Sequence, residues 1–193
     1  GLVTFAAPWL SSRSAFIRDL SNRRNRASIT GTIDYRNLAQ QVGLYTDNDQ
    51  YATFDRNLPG LGITTTWSVV WLGWFPQNAG VADFLFGQHA NDGAGDTSRY
   101  DWGLYRSAVT HRVFAFYKCD SNIDTGVNPG SNVLFQAALT CNGTTATAYV
   151  NGVVAGTPAS HVTAVANNYP MRLNGRWNIG GDVPAVVVAA MGY

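Results

Sequence analysis

Apolar and polar side chains alternate along much of this chain, with the period of two residues that is typical of β-strands. The longest alternating run covers residues 64–75. One face of this run is largely apolar from Trp67 to Phe75, and the other face carries Val70 and Trp74. Because both faces are apolar, the run predicts a strand that is covered on both sides.

Three segments, residues 43–54, 139–156 and 171–181, have the pattern of β-hairpins closed by tight turns. In the second segment, Asn142-Gly143 and Asn151-Gly152 bracket a short alternating run. Asn-Gly best tolerates the two positive φ angles of a type I′ turn. This segment therefore predicts three strands joined by two turns.

Further short apolar runs are separated by turn residues at regular spacing, which favours an all-β, antiparallel two-sheet β-sandwich. No segment of ten or more residues keeps a helical period, and residues 1–36 favour no helix longer than a turn or two. A length of 193 residues suits a single domain. We expect residues 1–193 to form that domain, with residues 1–36 packed on it as a basic segment. The remaining predicted strands cover residues 84–87, 101–105, 112–117, 133–140, 172–179 and 183–191.

The composition excludes several kinds of catalytic site. All twelve acidic residues are Asp, and Lys118 is the only lysine beside twelve arginines. Without glutamate there is no Glu pair of a glycosidase, no HExxH zinc site and no EF-hand. The sequence also lacks GxSxG and the phosphate-binding GxxxxGK[ST]. We therefore expect no catalytic residues and no enzyme activity.

Charge is unevenly distributed. Residues 1–36 carry a net charge of +4, and the remainder carries −3. Arg23, Arg24 and Arg26 suit planar pairing with carboxylates or sulfates on a partner protein, although an exposed, solvated loop is the alternative. With a net charge of only +1 and no aromatic platform beside these arginines, we expect no nucleic-acid partner.

The apolar stretch at residues 183–191 is interrupted by Pro184 and is far shorter than the ~20 residues of a membrane helix, so no membrane insertion is expected. The start at Gly1 is consistent with a mature chain from which Met or a signal has been removed.

The two cysteines, Cys119 and Cys141, end the runs at residues 111–118 and 133–140. If these runs pair as a simple hairpin around a loop at 120–132, the cysteines lie at opposite ends, about 20 Å apart or more. That distance is far beyond the reach of a disulfide. We therefore predict two free, partly buried thiols.

The order of several weak motifs resembles the laminin-G-like branch of the concanavalin A-like lectin and glucanase superfamily, in the form found as accessory domains of phage structural proteins. The similarity covers nearly the whole chain and implies a jelly roll of two antiparallel sheets. The catalytic glutamates of the glucanase members have no counterpart here. The motifs that carry the resemblance are Asp19-Leu20-Ser21-Asn22, Thr30-Gly31, Tyr45 to Tyr51, Thr140 to Gly143 and Tyr149 to Gly152.

The resemblance raises the question of calcium, which some family members bind. Asp47 and Asp49 are weak candidates for a calcium site. Asp-Asn-Asp is also what a tight turn selects, since these side chains hydrogen-bond nearby amides. Gln50 and Asn142 stand where relatives often have acids. We therefore expect no metal and no cofactor.

Six tryptophans and nine tyrosines invite a carbohydrate-binding interpretation, because aromatic faces pack on sugar rings. Most of these side chains must lie in the core. Trp102 and Tyr105, beside a glycine-rich loop, are our candidates for glycan contacts.

Two functions remain open. The first is a non-catalytic structural or adhesive module displayed on a larger assembly, with a lectin-like fold. For such a module the resemblance implies a virion surface protein of the phage decoration or fibre kind, with other subunits of the assembly as partners. The second is a free-standing carbohydrate-binding lectin, with glycans as partners. Both place the chain on a virion surface or outside the cell.

Overall fold

The structure is a computed structural model that describes residues 4–6, 16–17, 25–31, 34–38, 41–46, 51–56, 65–76, 83–88, 102–117, 122–160, 169–174 and 185–192. Every regular element within these ranges is a β-strand. In chain order the strands are β1 (Thr4–Ala6), β2 (Phe16–Ile17), β3 (Ala27–Thr30), β4 (Asp34–Leu38), β5 (Gln41–Thr46), β6 (Tyr51–Phe54), β7 (Thr66–Trp74), β8 (Asp83–Gln88), β9 (Trp102–Arg106), β10 (Val113–Tyr117), β11 (Asn122–Asp124), β12 (Phe135–Asn142), β13 (Thr145–Val150), β14 (Val153–Val154), β15 (Ala159–Ser160), β16 (Arg172–Leu173) and β17 (Ala185–Gly192).

The strands form two sheets. Sheet I has the order β14-β13-β12-β7-β17-β5-β4, with β1 beside β17 and β15 beside β13. Sheet II has the order β11-β10-β9-β8-β16-β6-β3-β2. The pairings in both sheets are antiparallel. The predicted fold class, an all-β antiparallel sandwich, is confirmed.

The core lies between the two sheets and is rich in aromatic side chains. Trp67 of sheet I and Trp102 of sheet II have ring centroids 5.5 Å apart. Arg106 of sheet II is fully buried, and its guanidinium carbon lies 3.7 Å from the centroid of the Phe75 ring, beyond the end of β7. These contacts identify the inner face of each sheet. Along each strand, the side chains that alternate with these residues point outward.

Strand β7 is covered on both faces at its end, as its pattern predicts. Trp71 points inward and is fully buried. Trp74 points to the outer face of sheet I, yet only 1% of it is exposed, because it packs against Leu38, Tyr45 and Leu72. The apolar character of both faces therefore reflects packing on both sides of the strand.

The turn between β13 and β14 confirms the second predicted hairpin. Val150 pairs with Val153, which leaves the two-residue loop Asn151-Gly152. Their φ angles are 50° and 78°, as a type I′ turn requires. The Asn151 side chain also accepts a hydrogen bond of 2.9 Å from the backbone N–H of Gln136, which ties this turn to β12.

The turn between β12 and β13 differs from the type I′ prediction. Cys141 pairs with Ala146, so the connection has four residues. Gly143 has a φ of 90°, whereas Asn142 stays in the strand and accepts a 2.9 Å hydrogen bond from the N–H of Thr145. The strands and the turn are confirmed, but the turn type is wrong because the asparagine side chain closes a longer loop.

Two other hairpin predictions are wrong. Strands β5 and β6, on either side of residues 47–50, belong to different sheets. In the segment 171–181, β16 pairs with β6 and β8, and its residues 175–181 lie outside the described ranges. In addition, the expected loop at 120–132 contains β11, which adds an edge strand to sheet II.

The cysteine prediction is confirmed for Cys141, which is a buried free thiol, although the hairpin used to argue it is wrong. Strand β10 lies in sheet II and β12 in sheet I, so the runs that precede the two cysteines do not pair. Cys119 lies outside the described residues. The Cys141 thiol is 3.4 Å from the carbonyl oxygen of Thr65, to which it donates.

We predict a pH dependence of stability from this thiol. Burial raises the pKa of Cys141 above its ordinary value of 9.0, partly offset by the N–H of Gly143. The unfolded thiol ionises first, so its contribution is complete below pH 9 and is lost as pH rises through the folded pKa. Urea unfolding at increasing pH, in a Cys119→Ser background, should show this loss. Cys141→Ala should reduce it, and an unchanged profile would refute the assignment.

Candidate functional site

A row of paired positions crosses the outer face of sheet II, the face turned away from the core. Neighbouring positions in sequence point inward into the core. In the centre of the row, Gly87 and Gly103 are paired with each other and carry no side chain. Across the sheet the row consists of Ser28, Thr53, Arg172, Gly87, Gly103, Phe116 and Asn122.

Aromatic side chains build two layers over the glycines. The lower layer consists of Phe84 and Phe116, each 5% exposed, with ring centroids 5.5 Å apart. The upper pair consists of Tyr105 and Phe114, both half-buried, with stacked rings 5.3 Å apart and an interplanar angle of 21°. Tyr105 also lies 6.1 Å from Phe116. The upper pair therefore adjoins the lower layer, is more exposed than it, and remains partly accessible.

The other half of this face is polar. The Arg172 guanidinium carbon lies 3.9 Å from the centroid of the Tyr51 ring. Arg172 is 7% exposed, whereas Tyr51 and Thr53 are half-buried. Ser28 is exposed and its hydroxyl donates to the Thr53 carbonyl over 3.4 Å. Hydroxyl and guanidinium groups thus stand beside the aromatic layers.

A polar rim borders the aromatic layers at β11. Asp124 pairs in register with Phe114, and its carboxylate accepts a 3.2 Å hydrogen bond from Arg112. The other carboxylate oxygen accepts from the N–H of Gly126 over 2.8 Å. Asn122 and Asp124 are both exposed. This rim offers amide and carboxylate groups at the open edge of the sheet.

The arrangement suits binding better than bond cleavage. Half-buried aromatic rings pack against flat apolar faces, and the polar groups at their edges can hydrogen-bond to hydroxyls. The described residues include one tyrosine whose pKa is raised by burial, Tyr35. It lies in β4 of sheet I and so is not part of this face. A ligand with an apolar face and hydroxyl groups at its edges fits this surface.

The two aromatic residues predicted from the sequence to contact glycans lie on opposite faces of β9. Trp102 is 1% exposed and packs against Trp67 and Phe86 in the core. The expectation that it is available to a glycan is therefore wrong, because its position in β9 points inward. Tyr105, three residues later, points outward and belongs to the upper pair.

Sequence reasoning missed the other aromatic members of the site. The run from Val113 to Tyr117 alternates, and its inner positions are buried. Once those positions are assigned to the core, Phe114 and Phe116 must share the outer face. The period of two was therefore the signal that identifies them. Nothing in the sequence brings Phe84 next to Phe116, because that contact depends on strand pairing.

The arginine cluster is only partly described. Arg26 is exposed and lies 3.9 Å from the Asp55 carboxylate, whereas Arg23 and Arg24 lie outside the described residues. The adjacent Asn25 is fully buried and exchanges hydrogen bonds of 2.8 and 3.0 Å with the backbone that follows β6. The segment at Arg26 is thereby anchored to sheet II, with the arginine directed to solvent.

The weak metal candidates, Asp47 and Asp49, also lie outside the described residues. Within the described part of the chain, no three His, Cys, Asp or Glu side chains are placed to hold a metal ion. The same residues include no helix with the length and apolarity needed to cross a bilayer.

Comparison with known proteins gives a fold and no family. No family model matches the chain, and no curated protein matches it. Solved structures match over the whole chain. A sialidase of Trypanosoma rangeli in complex with sialic acid matches with a TM-score of 0.72 and 14% identity. The match covers 100% of this chain and 30% of the sialidase chain.

Two further matches are parts of larger proteins. Domain 4 of AbnA, a GH43 extracellular arabinanase from Geobacillus stearothermophilus, was solved with arabinotriose; it has a TM-score of 0.73 and 13% identity over 100% of this chain and 91% of that domain. The receptor-binding domain of botulinum neurotoxin C/D mosaic serotype has a TM-score of 0.69 and 10% identity over 100% of this chain and 47% of that one. At such identities the likeness establishes the fold alone, a two-sheet β-sandwich.

Proposed function

We propose that this chain is a non-catalytic carbohydrate-binding module and that its ligand lies on the outer face of sheet II. The observation that carries the proposal is the stacked, half-buried pair of Tyr105 and Phe114 beside a polar strip. The resemblance in fold to an arabinanase domain solved with arabinotriose supports it.

Binding follows from the chemistry of the two halves of this face. A pyranose or furanose ring has an apolar C–H face that packs on an aromatic ring and hydroxyls that need hydrogen-bond partners. Tyr105 and Phe114 supply the aromatic surface. Tyr51 and Thr53 supply hydroxyl groups, and Asn122 at the rim supplies an amide. The ligand is held by many modest contacts, as in an open binding surface.

The absence of glutamate from the sequence supports a binding role over a catalytic one. Among the described residues, three exposed aspartates form ion pairs with arginines. The pairs are Asp55 with Arg26, Asp34 with Arg36 and Asp124 with Arg112. We therefore assign these aspartates to surface ion pairs.

We further propose that the module is displayed on a larger assembly, on a virion surface or outside the cell. The sialidase and toxin chains that it resembles are longer than this chain, which spans 30% and 47% of them. The N-terminal arginines are the docking candidates. Replacing Arg23, Arg24 and Arg26 by Ser should abolish co-sedimentation with the assembly without changing the melting temperature. Retained association would contradict this display.

A glycan array tests the binding function. Wild-type protein should bind in a saturable manner, and Tyr105→Ala should weaken binding by about 10- to 100-fold, the effect of removing a stacked aromatic contact. Phe114→Ala should act in the same direction. Tyr149→Ala is the matched control, because Tyr149 is a half-buried tyrosine on sheet I. A blank array with folded protein, or equal losses in Tyr105→Ala and Tyr149→Ala, would reject the proposal.

A further inference from the structure

The lower layer lies against two residues that have no side chain. Gly103 pairs with Phe116 on β10 and with Gly87 on β8, in the centre of sheet II. The Cζ atoms of Phe84 and Phe116 both lie 2.7 Å from the point that a Cβ on Gly103 would occupy. Contacts this short do not occur around real Cβ atoms, so the rings lie in space that only glycine leaves open.

The same holds at Gly87 for one of these rings. A Cβ there would meet Phe84 Cε1 at 2.7 Å and the carbonyl oxygen of Trp102 at 2.6 Å. Glycine inside a strand weakens the strand and often marks a close approach. Here the close approach is that of Phe84, which lies across both glycines.

We propose that Gly103, supported by Gly87, is a positioning residue of the glycan site. By letting the lower layer lie against the backbone, it sets the height and tilt at which Tyr105 and Phe114 face solvent. The proposal takes its ligand, a glycan, from the proposed function. The positioning itself is argued from the contacts of Phe84 and Phe116 with Gly103. The ligand class that follows is a glycan whose ring packs on the upper pair.

Gly103→Ala is a clean probe because the three nearest atoms to the added Cβ belong to phenylalanine rings and none belongs to the backbone. The rings must move outward while the strand pairing can persist. Gly87→Ala is less suitable, since its Cβ meets the Trp102 carbonyl oxygen. Ser160→Thr is the matched control: it also adds one methyl group to a strand residue, at an exposed position in β15 of sheet I, outside this face.

The experiment combines two measurements on the full chain. Protein labelled with 3-fluorotyrosine gives a ¹⁹F resonance for Tyr105, assigned by its disappearance in Tyr105→Phe. We expect that resonance to shift in Gly103→Ala and to keep its wild-type position in Ser160→Thr. Both variants and the wild type are then titrated with arabinotriose and with sialic acid. For a sugar that the wild type binds, Gly103→Ala should bind about tenfold more weakly, a typical worth of one aromatic contact, and Ser160→Thr should bind with little change.

The outcomes separate the inference from the proposed function. If the wild type binds neither sugar, the resonance still decides whether Gly103 positions Tyr105. If Gly103→Ala does not fold, Phe116→Leu removes the supporting ring without adding an atom at Gly103, and the same shift and weakening are expected. An unmoved Tyr105 resonance, or full affinity of Gly103→Ala in a protein whose wild type binds, would overturn the proposal.

Discussion

Replacing Trp71 by alanine should lower the free energy of unfolding by about 3–5 kcal/mol, the usual cost of removing a large aromatic side chain from a core. Trp71 is fully buried, and its ring centroid lies 5.1 Å from that of Phe135 and 6.1 Å from that of Phe75. The cavity would open within this cluster of rings in sheet I. Urea unfolding followed by circular dichroism measures the loss.

Val109→Ala is the control for that experiment. Val109 is 87% exposed, so its truncation should change the free energy of unfolding by no more than about 0.5 kcal/mol. If Trp71→Ala cost as little as Val109→Ala, the inward orientation of this face of β7 would be wrong. The assignment of the core would then need revision, because the same alternation orients the whole strand.

Much of the fold follows from patterns within single strands. The runs that become β7, β10 and β12 alternate so regularly that their existence and inner faces follow from the sequence. What the sequence cannot supply is which strands pair. Residues 43–54 have the turn signal of a hairpin, yet β5 and β6 enter different sheets, since a polar turn is equally compatible with crossing from one sheet to the other.

The proposed binding face shows the same division. A place beside a glycine-rich loop predicts exposure for both Trp102 and Tyr105, but strand parity turns Trp102 into the core and leaves Tyr105 on the outer face. The row from Ser28 to Asn122 unites strands distant in the chain. In the sequence, Gly87 and Gly103 are only glycines that weaken two short strands. The alignment of β8, β9 and β10 shows that both lie under the ring of Phe84.

The two outer faces of the sandwich differ in how far the chain itself covers a large aromatic side chain. On the outer face of sheet I, Trp74 is buried by Leu38, Tyr45 and Leu72 from the same chain. On the outer face of sheet II, Tyr105 and Phe114 remain half-buried. Aromatic side chains that keep an accessible face lose further contact with water when a ligand covers them, which favours association. Among the described residues, Tyr105 and Phe114 are therefore a stacked aromatic pair with accessible surface for a ligand.

Gly156→Ala should lower the free energy of unfolding by about 2–5 kcal/mol, through left-handed backbone strain and overpacking together. Gly156 follows β14, has a φ of 76°, and lies against β11. A Cβ there would overlap the carbonyl oxygen of Asp124 and come within 2.8 Å of Ile123 Cγ2. Since β14 belongs to sheet I and β11 to sheet II, the substitution would push apart the edges of the two sheets. Thermal and urea unfolding measure the effect.

Gly152→Ala separates the two causes. Gly152 has a φ of 78° but no atom lies within 4 Å of its Cβ position, so alanine there should cost only the backbone term of about 1–2 kcal/mol. The difference between the two losses in free energy of unfolding is the steric cost of placing a methyl group between Gly156 and β11. Equal losses would mean that β11 and the residues after β14 do not pack together in solution, and the contact between these edges would have to be abandoned.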